Sequence, residues 1–187
     1  MDKIPRLKKA FDKGKFSEGA SKFKIACWYL TSLFLFQSGL VPFSNILVLV
    51  LRIYGAKIGK DVRIKPFVNI KYPWKLSIGD HSWIGACQIE NLDKVTIGRN
   101  VCISQNAMLL TGSHNYKEAL FDLITKPIVL EEGVWICANA MVCPGVTAHS
   151  QAVLCAGSVT SSDLKASYIY RGNPAIEIRR RPTSTSK

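Results

Sequence analysis

A six-residue repeat of small and aliphatic side chains dominates the second half of this 187-residue sequence. Between positions 130 and 162 such residues recur at every sixth position, and a second series follows each of them four places later. The first series is Leu130, Ile136, Val142, Ala148 and Leu154, and the second is Val134, Ala140, Val146, Ala152 and Ser158. Neither the helical period of 3.6 nor the strand period of 2 fits this spacing. The repeat predicts a solenoid in which each hexapeptide forms one short flat face and one corner.

The same period is present upstream, with two phase slips, at Ile58, Ile64, Ile70, Leu76, Ile84, Ile97, Ile103 and Leu109. It stops at Thr111, and the more charged residues 112–127 lack it, which predicts a loop projecting from the solenoid. It decays again into a C-terminal tail over residues 163–187, with a turn at 172–174. We therefore divide the chain into an N-terminal segment, 1–56, and a solenoid domain, 57–187. Ile-Gly dipeptides recur at 58–59, 78–79, 84–85 and 97–98, and we expect their glycines at corners that need unusual backbone angles.

The N-terminal segment combines a basic arm, residues 1–24, with a stretch from Ile25 to Leu51 that has no charged residue. Polar residues, Gly39 and Pro42 divide the apolar stretch, so each half is too short to cross a bilayer alone. We expect two short helices, roughly 22–36 and 43–54, forming an apolar hairpin. The hairpin is expected to cap the solenoid or pack on neighbouring subunits, and to touch a membrane interface through residues 1–54; a transmembrane hairpin is the least favoured alternative.

The formal net charge of +12 is concentrated at the two ends of the chain. From Asp2 to Lys24 there are eight Lys or Arg residues against three acidic ones, and further arginines lie at the C-terminus. A basic end suits an anionic lipid surface, a phosphorylated small molecule or nucleic acid. No nucleic-acid motif and no alternation of aromatic and basic residues is present, so we do not expect a nucleic-acid partner.

Six cysteines are present, and their spacing favours free thiols. Cys137 and Cys155 lie eighteen residues apart, so they would stack in successive coils at a separation that a disulfide bond permits. We find no cleavable secretory signal, however, which indicates a cytoplasmic protein, with the inner membrane face as the alternative location. No CxxC pair occurs, so we expect no metal site of that kind.

The string VWICANAMVCPGVTAHSQAVLCAGSVTSSD at 134–163, followed by GNPA at 172–175, resembles the hexapeptide-repeat acyltransferases. The resemblance extends from Ile58 to Arg181. The segment ISQNAMLLTGSHNY at 103–116 and the string RIYGAKIG at 52–59 are similar to one branch, the colanic acid and exopolysaccharide O-acetyltransferases. The resemblance implies a mainly β fold, a left-handed parallel β-helix with an N-terminal helical segment and a short C-terminal extension. It also implies a homotrimer with active sites between subunits, and acetyl-CoA (coenzyme A, CoA) as the acyl donor.

His114 is the expected general base, because it matches the family's catalytic histidine and stands where the repeat gives way to the loop. An imidazole titrates near neutral pH, which suits removal of a hydroxyl proton during attack on a thioester. His81 and His149 are expected to be corner residues without a role in the site. A zinc site of the kind found in the γ-class carbonic anhydrases is rejected, because the three histidines lie more than thirty residues apart.

The resemblance also implies a set of donor-binding residues along the repeat and the tail. Small residues suit a channel in which the pantetheine arm approaches the backbone closely, and arginine suits its phosphates. The expected cofactor-binding residues are Trp135, Ala138, Ala156, Gly157, Ser158, Ser161, Asn173, Pro174, Arg179 and Arg180, with Arg171 and Arg181 as further candidates. At the positions of Ser162 and Ile176 the family often carries a basic residue, so we expect the arginines to bind the phosphates instead.

The acceptor is expected to be a sugar, as a small molecule or linked to a lipid, in bacterial exopolysaccharide, capsule or lipopolysaccharide biosynthesis. The candidate residues for its hydroxyls are Glu90, Asn91, Asp93 and Tyr116, which lie in a phase break or follow His114. No acyl-enzyme is expected, because none of the cysteines is placed as a nucleophile. The alternatives are an acetyltransferase for an amino sugar, serine or antibiotic, and a β-helix scaffold that has lost catalysis.

Overall fold

Each hexapeptide forms a short strand and a turn, and successive strands stack in parallel into a solenoid. The computed structural model describes residues 16–182, so most of the basic arm and the last five residues of the tail lie outside the described residues. The chain forms a parallel β-solenoid of about six coils with three faces, as the repeat predicted. The left hand of the solenoid stays an expectation from the resemblance.

The three faces each consist of one column of parallel strands. The first face contains β1 Lys57–Ile58, β4 Leu76–Ile78, β7 Val95–Ile97, β12 Ile128–Leu130 and β15 Thr147–Ala148. The second contains β2 Arg63–Ile64, β5 Trp83–Ile84, β8 Cys102–Ile103, β13 Trp135–Ile136, β16 Val153–Leu154, β18 Tyr168–Gly172 and the antiparallel β19 Ala175–Arg180. The third contains β3 Asn69–Ile70, β6 Gln88–Glu90, β9 Met108–Leu110, β14 Met141–Val142 and β17 Val159–Thr160. A short 3-10 helix, Pro73–Lys75, links the first two coils.

The solenoid is held together by stacked aliphatic side chains inside the prism. On the second face Ile64, Ile84, Ile103, Ile136 and Leu154 are in register, and each is at most 1% exposed. Burying such a side chain contributes about 1.5–3 kcal/mol relative to leaving it in water. The residue before each of them points outwards, and this alternation puts the side chains of Trp83 and Trp135 on the surface.

The N-terminal segment forms two helices that pack on the first coil. Helix α1, Lys22–Thr31, continues as a π-helical stretch, Ser32–Gln37, and α2 is Ser44–Ile53, close to the predicted bounds. The Ser21 hydroxyl caps α1 by accepting a hydrogen bond from Lys24 N–H. No helix within residues 16–182 is long and apolar enough to span a bilayer.

The helices cover the unpaired backbone edge of the first coil. The indole N–H of Trp28 donates to Ile70 O at 2.9 Å, and Ile64 N–H donates to the Ser44 hydroxyl at 2.9 Å. The Arg52 guanidinium donates to the carbonyls of Ile58 and Gly59 at 2.9 and 2.7 Å. These contacts satisfy polar groups that an exposed edge strand would otherwise offer to another chain.

The glycines of the four Ile-Gly dipeptides have a different role from the predicted one. None of Gly59, Gly79, Gly85 and Gly98 has a positive φ; the corners at positive φ are formed by other residues, such as His81 at 59° and Asn100 at 56°. A Cβ at Gly79 would lie 2.6 Å from Arg99 N, in the backbone of the next coil. These glycines are therefore required by the close approach of neighbouring coils.

We expect Gly79→Ala to destabilise the protein by about 3 kcal/mol or more, because two backbones must separate to admit the methyl group. Gly157→Ala is the matched control. A Cβ at Gly157 would meet nothing within 4 Å, but φ is +68°, so only the left-handed conformation costs energy, about 1–2 kcal/mol. Chemical denaturation of both variants gives the two free energies of unfolding, and equal losses would contradict this account.

Candidate active site

His114 lies on a β-hairpin that interrupts the solenoid. The predicted loop at 112–127 contains two paired antiparallel strands, β10 Gly112–His114 and β11 Leu123–Thr125, in which His114 lies opposite Leu123. The hairpin leaves the prism after β9 on the third face and returns to β12 on the first face. It therefore projects from the corner between those two faces, which we call the hairpin corner.

The hairpin fixes the orientation of the His114 ring. Nδ1 lies 2.8 Å from Phe121 O, and the ring stacks on the Phe121 ring at 4.6 Å between centroids. A carbonyl oxygen can only accept a hydrogen bond, so Nδ1 carries the hydrogen. In the neutral ring Nε2 is then the basic nitrogen. The side chain is exposed, as a group that meets a substrate must be.

Three of the four predicted acceptor residues lie at the root of this hairpin. The Thr111 hydroxyl donates to Glu90 O at 2.9 Å and accepts from Asp93 N–H at 2.9 Å. Glu90 pairs with Lys71 at 3.0 Å. Partial burial raises the pKa of the Glu90 carboxyl, but hydrogen bonds from Gln88 and Lys71 and the lysine charge outweigh it, so the pKa lies below its usual value.

Asn91 does not fit its predicted role as an acceptor ligand. The side chain is fully buried, its Oδ1 accepts from Tyr72 N–H at 2.9 Å, and its Nδ2 donates to Tyr72 O at 2.7 Å. Both ends of the amide are occupied in joining the first two coils. Asp93 is partly buried and accepts from Lys94 N–H at 2.7 Å, whereas Tyr116 on the hairpin is 70% exposed.

Most of the predicted donor residues lie at another corner of the prism, between the second and third faces; we call it the donor corner. Ala138 and Gly157 lie in stacked turns there, with Gly157 N–H donating to Ala138 O at 3.0 Å, and Ala156 is exposed beside them. The turn at Asn173 and Pro174, between β18 and β19, lies at the same corner, because Gly172 N–H donates to the Ser158 hydroxyl at 3.0 Å. Ser161 is exposed but lies at the hairpin corner instead, because it follows β17 on the third face and precedes Leu164, which bridges to Ala148 on the first face.

Ser158 is placed as a structural residue at this corner rather than as a donor contact. Its side chain is fully buried, and its carbonyl accepts from Met141 N–H at 2.8 Å while its N–H donates to Cys155 O. The space beside it is open, because a Cβ at Gly157 would have no neighbour within 4 Å. An extended thioester arm fits against such a corner, where small side chains leave the backbone accessible.

The predicted phosphate-binding arginines are divided between two roles. Arg179 and Arg180 are exposed on β19, and the Arg180 guanidinium lies 5.6 Å from the Tyr168 ring centroid. Arg181 instead donates to Gly133 O at 2.8 Å and Gln151 O at 3.2 Å, which pins the end of the tail to the prism. Arg179 and Arg180 therefore remain the arginines of this run that are placed to meet an anion.

An apolar groove of about 480 Å³ runs along the second face beside the donor corner. Its lining includes Phe67 and Trp83, both more than half exposed, together with Arg63, whose guanidinium lies 5.4 Å from the Trp83 ring centroid. Trp83 and Trp135 share one column, separated by Cys102, and the Trp135 indole N–H donates to Ser104 in the groove wall at 3.0 Å. Trp83 was not among the site residues predicted from the sequence, although the Trp-Ile dipeptide at 83–84 occurs again at 135–136.

Burial keeps the thiols of Cys87 and Cys137 protonated at neutral pH. All six lie within the described residues and none forms a disulfide bond. Burial raises the pKa of Cys87 to about 12, and burial with the neighbouring Cys155 and Cys102 raises the pKa of Cys137 to about 11, against a smaller opposing effect of Arg181. A thiol is a poor nucleophile until it is deprotonated. These two cysteines are therefore unsuited to forming an acyl-enzyme.

The other two histidines have local partners. His149 Nδ1 lies 3.0 Å from Glu131 Oε1, and His81 Nδ1 lies 3.4 Å from Asp61 Oδ2. A hydrogen bond from Ser150 N–H, then those from His149 and the Ser150 hydroxyl, hold the pKa of Glu131 below its usual value. Across residues 16–182 no three His, Cys, Asp or Glu side chains are grouped as a metal ion would require.

The structure thus places the hairpin of His114 and the donor corner at different corners of one prism. Glu90, Asp93 and Tyr116 share the hairpin corner, whereas Ala138, Gly157 and Asn173 share the donor corner. A single copy of the chain does not bring these two sets together. A second copy, with its donor corner facing the hairpin of the first, would do so.

Comparison with known proteins identifies the fold and the family. No family model matches the sequence. The solenoid is similar to an acetyltransferase of Vibrio cholerae in complex with acetyl-CoA, at 22% identity with a TM-score of 0.81 over 91% of this chain and 95% of that one. It is also similar to a galactoside acetyltransferase in complex with coenzyme A, at 22% identity with a TM-score of 0.74 over 84% of this chain and 80% of that one.

A closer relationship in sequence comes from the colanic acid biosynthesis acetyltransferase WcaF of Escherichia coli. It is 37% identical over 172 residues, which are 91% of this chain and 94% of the relative. The match extends through both the N-terminal segment and the solenoid. This chain belongs to the hexapeptide-repeat acetyltransferase family.

Proposed function

We propose that this protein transfers an acetyl group from acetyl-CoA to a hydroxyl group of a sugar. The observation that carries the proposal is the hydrogen bond between Nδ1 of His114 and Phe121 O, which makes Nε2 the basic nitrogen of an exposed ring. The name of the WcaF relative supports a sugar acceptor and places that relative in colanic acid biosynthesis. By this similarity we propose a role in exopolysaccharide, capsule or lipopolysaccharide biosynthesis.

The proposed reaction is a direct transfer in a ternary complex. Nε2 of His114 takes the proton of the sugar hydroxyl as its oxygen attacks the thioester carbonyl. The new C–O bond forms, the C–S bond breaks, and the thiolate of coenzyme A leaves and takes the proton from the imidazolium. No protein nucleophile is required, in agreement with the raised pKa values of Cys87 and Cys137. Holding the two reactants in one orientation supplies much of the rate enhancement.

The donor is proposed to lie along the donor corner of the neighbouring copy in a homotrimer. Trp135, Ala138, Ala156, Gly157 and Asn173 would line the pantetheine arm, with Pro174 beside it. Arg179 and Arg180 lie on the second face about six residues along β19 from the turn, which is roughly 20 Å of extended chain. That distance suits contact with phosphates at the far end of an extended cofactor, and guanidinium groups match phosphate geometry.

The acceptor is proposed to occupy the apolar groove beside that donor corner, with Trp83 as its stacking platform, while Glu90, Asp93 and Tyr116 at the hairpin corner of the copy that supplies His114 meet its hydroxyls. Trp83 lies two coils from Trp135, about 9.6 Å along the solenoid axis. A sugar stacked on Trp83 would therefore extend towards the thioester end of the pantetheine arm. We place the reaction in the cytoplasm, at the inner face of the membrane.

We expect Trp83→Ala to raise the KM for the acceptor about tenfold, because an exposed aromatic face is lost, while the KM for acetyl-CoA changes little. Trp83→Phe is the matched control and should retain most of the affinity, since a ring remains. Initial rates with each substrate varied in turn separate the two constants. An unchanged acceptor KM in Trp83→Ala would show that the acceptor does not use this groove.

A transfer screen identifies the acceptor and tests the proposed function as a whole. Purified protein is incubated with acetyl-CoA and nucleotide sugars, lipid-linked sugars, amino sugars, serine or an aminoglycoside, and the products are read by mass spectrometry. We expect a mass increase of one acetyl group on a sugar oxygen. Acetylation of an amino group would assign the other acceptor class, and failure to bind acetyl-CoA by calorimetry would favour the scaffold alternative.

A further inference from the structure

The N-terminal helices are apolar on two opposite sides. Their inner side is buried in the hydrophobic core together with residues of the solenoid, through Trp28, Phe36, Leu47 and Leu51. Helical geometry places the residues between these positions on the outer side, away from the core. The outer side is also apolar, although water surrounds it in a single copy of the chain.

This outer surface contains more than half of the exposed large apolar residues found in residues 16–182. Their exposure ranges from 42% for Leu33 to 79% for Phe23. The outer helical surface consists of Phe23, Tyr29, Leu30, Leu33, Phe34, Leu40, Phe43, Ile46, Leu49 and Ile53. Contiguous apolar patches of this kind mark interaction sites on soluble proteins.

The charges around the outer helical surface are predominantly positive, although Glu18 lies beside Lys22, Tyr29 and Leu30. From residue 19 to residue 60 there is no Asp or Glu, whereas Lys22, Lys24, Arg52, Lys57 and Lys60 lie in the same stretch. The preceding residues 1–15 add six basic residues against two acidic ones. An apolar surface flanked by cations is complementary to a bilayer that carries anionic lipids.

We infer that the outer helical surface docks the enzyme on an anionic membrane leaflet, with the apolar side chains inserted at the level of the headgroups. A second copy of the chain fits this surface less well, because a self-complementary contact would bring the same cations together. Helix α1 with its π-helical continuation runs from Lys22 to Gln37, at most about 24 Å, and α2 has ten residues, about 15 Å; both are shorter than the hydrocarbon core of about 30 Å. They are suited to lie along the interface rather than across it.

The groove that we assign to the acceptor opens towards this surface. Phe67, which lines the groove, packs against the turn between the two helices, where a Cβ on Gly39 would come 2.5 Å from the Phe67 ring. An enzyme docked through the outer helical surface would therefore hold one end of the groove near the lipid headgroups. The inference deepens the proposed location and does not depend on acetyl transfer for its test.

Vesicle sedimentation of the full-length protein tests the inference. We expect the protein to pellet with vesicles containing about 30% phosphatidylglycerol, and to partition at least tenfold less onto pure phosphatidylcholine. Phe23→Ser, Phe34→Ser and Leu49→Ser combined should reduce partitioning onto the anionic vesicles about a hundredfold, since three large apolar side chains are removed. All three are exposed, so the fold should persist, and circular dichroism checks this.

Ile178→Ser is the matched control, because Ile178 is an exposed aliphatic residue on β19, outside the outer helical surface; its partitioning should equal that of the parent. Equal binding to both vesicle types, or equal binding by the triple variant, would overturn the inference. A triple variant that changes oligomeric state in light scattering without vesicles would also overturn it, in favour of a contact between copies. Calorimetry with acetyl-CoA on the same samples reports the proposed function separately.

Discussion

Replacing His114 with alanine is expected to lower kcat for acetyl transfer by roughly 10²- to 10⁴-fold, the usual contribution of a general base. The imidazole is exposed on a hairpin that leaves the prism at a different corner from the proposed donor corner of its own chain. The Kd for acetyl-CoA should therefore stay within about threefold of the parent value. Initial rates at saturating substrates measure the first quantity, and isothermal titration calorimetry measures the second.

His81→Asn is the matched control for this experiment. His81 is an exposed histidine at a corner with φ of 59°, and asparagine tolerates that conformation better than alanine. The rate of acetyl transfer by His81→Asn should equal that of the parent. A rate for His114→Ala near that of the parent would remove His114 from the mechanism. A parallel loss of acetyl-CoA binding would indicate that the substitution disturbs the hairpin or the assembly instead.

The interior of the solenoid could be predicted from the sequence because its contacts repeat. In each hexapeptide one aliphatic residue must point into the prism, so the spacing of Ile64, Ile84, Ile103 and Ile136 reveals which side chains stack. The two helices were predictable for a similar reason, since uncharged apolar runs were broken by Gly39 and Pro42. The regular packing inside the solenoid therefore corresponds to a regular spacing of aliphatic residues in the sequence.

Features that depend on contacts between distant residues were harder to predict. The glycines of the Ile-Gly dipeptides were predicted to adopt unusual backbone angles, but the structure shows that they are needed because the next coil lies too close to admit a Cβ. Asn91 was predicted to meet a sugar hydroxyl, yet its buried amide forms hydrogen bonds with the backbone of Tyr72. Both outcomes depend on which coil lies beside which residue, and a local pattern does not contain that information.

The candidate site was predictable only in part, for the same reason. His114 could be singled out by the break in the repeat and by the family resemblance, but its hydrogen bond to Phe121 O depends on the pairing of β10 with β11. Trp83 was not predicted as a site residue because an aromatic residue in a repeat usually packs against its neighbours. The separation of His114 from Ala138 and Gly157 on different corners of the prism became evident only from the stacking of the strands.

Two inactive variants are expected to restore each other's activity when they are assembled into one oligomer. The first is His114→Ala, which lacks the proposed base, and the second is Ala156→Trp, which obstructs the exposed donor corner with a large side chain. If each active site combines the hairpin of one copy with the donor corner of the next, a mixed trimer contains some sites in which both halves are intact. A mixed trimer of either composition has one intact site out of three, which gives about one third of the parent activity.

The measurement requires co-expression of the two variants with different affinity tags, isolation of mixed oligomers through both tags in succession, and assay of acetyl transfer. Each variant expressed alone, and the two mixed only after purification, should be nearly inactive, because subunits that do not exchange cannot combine their halves. Mixed oligomers as inactive as the separate variants would mean that His114 and the donor corner serve one site within a single chain. Recovery near one third would support an active site between copies, since the hairpin and the donor corner lie at different corners of one prism.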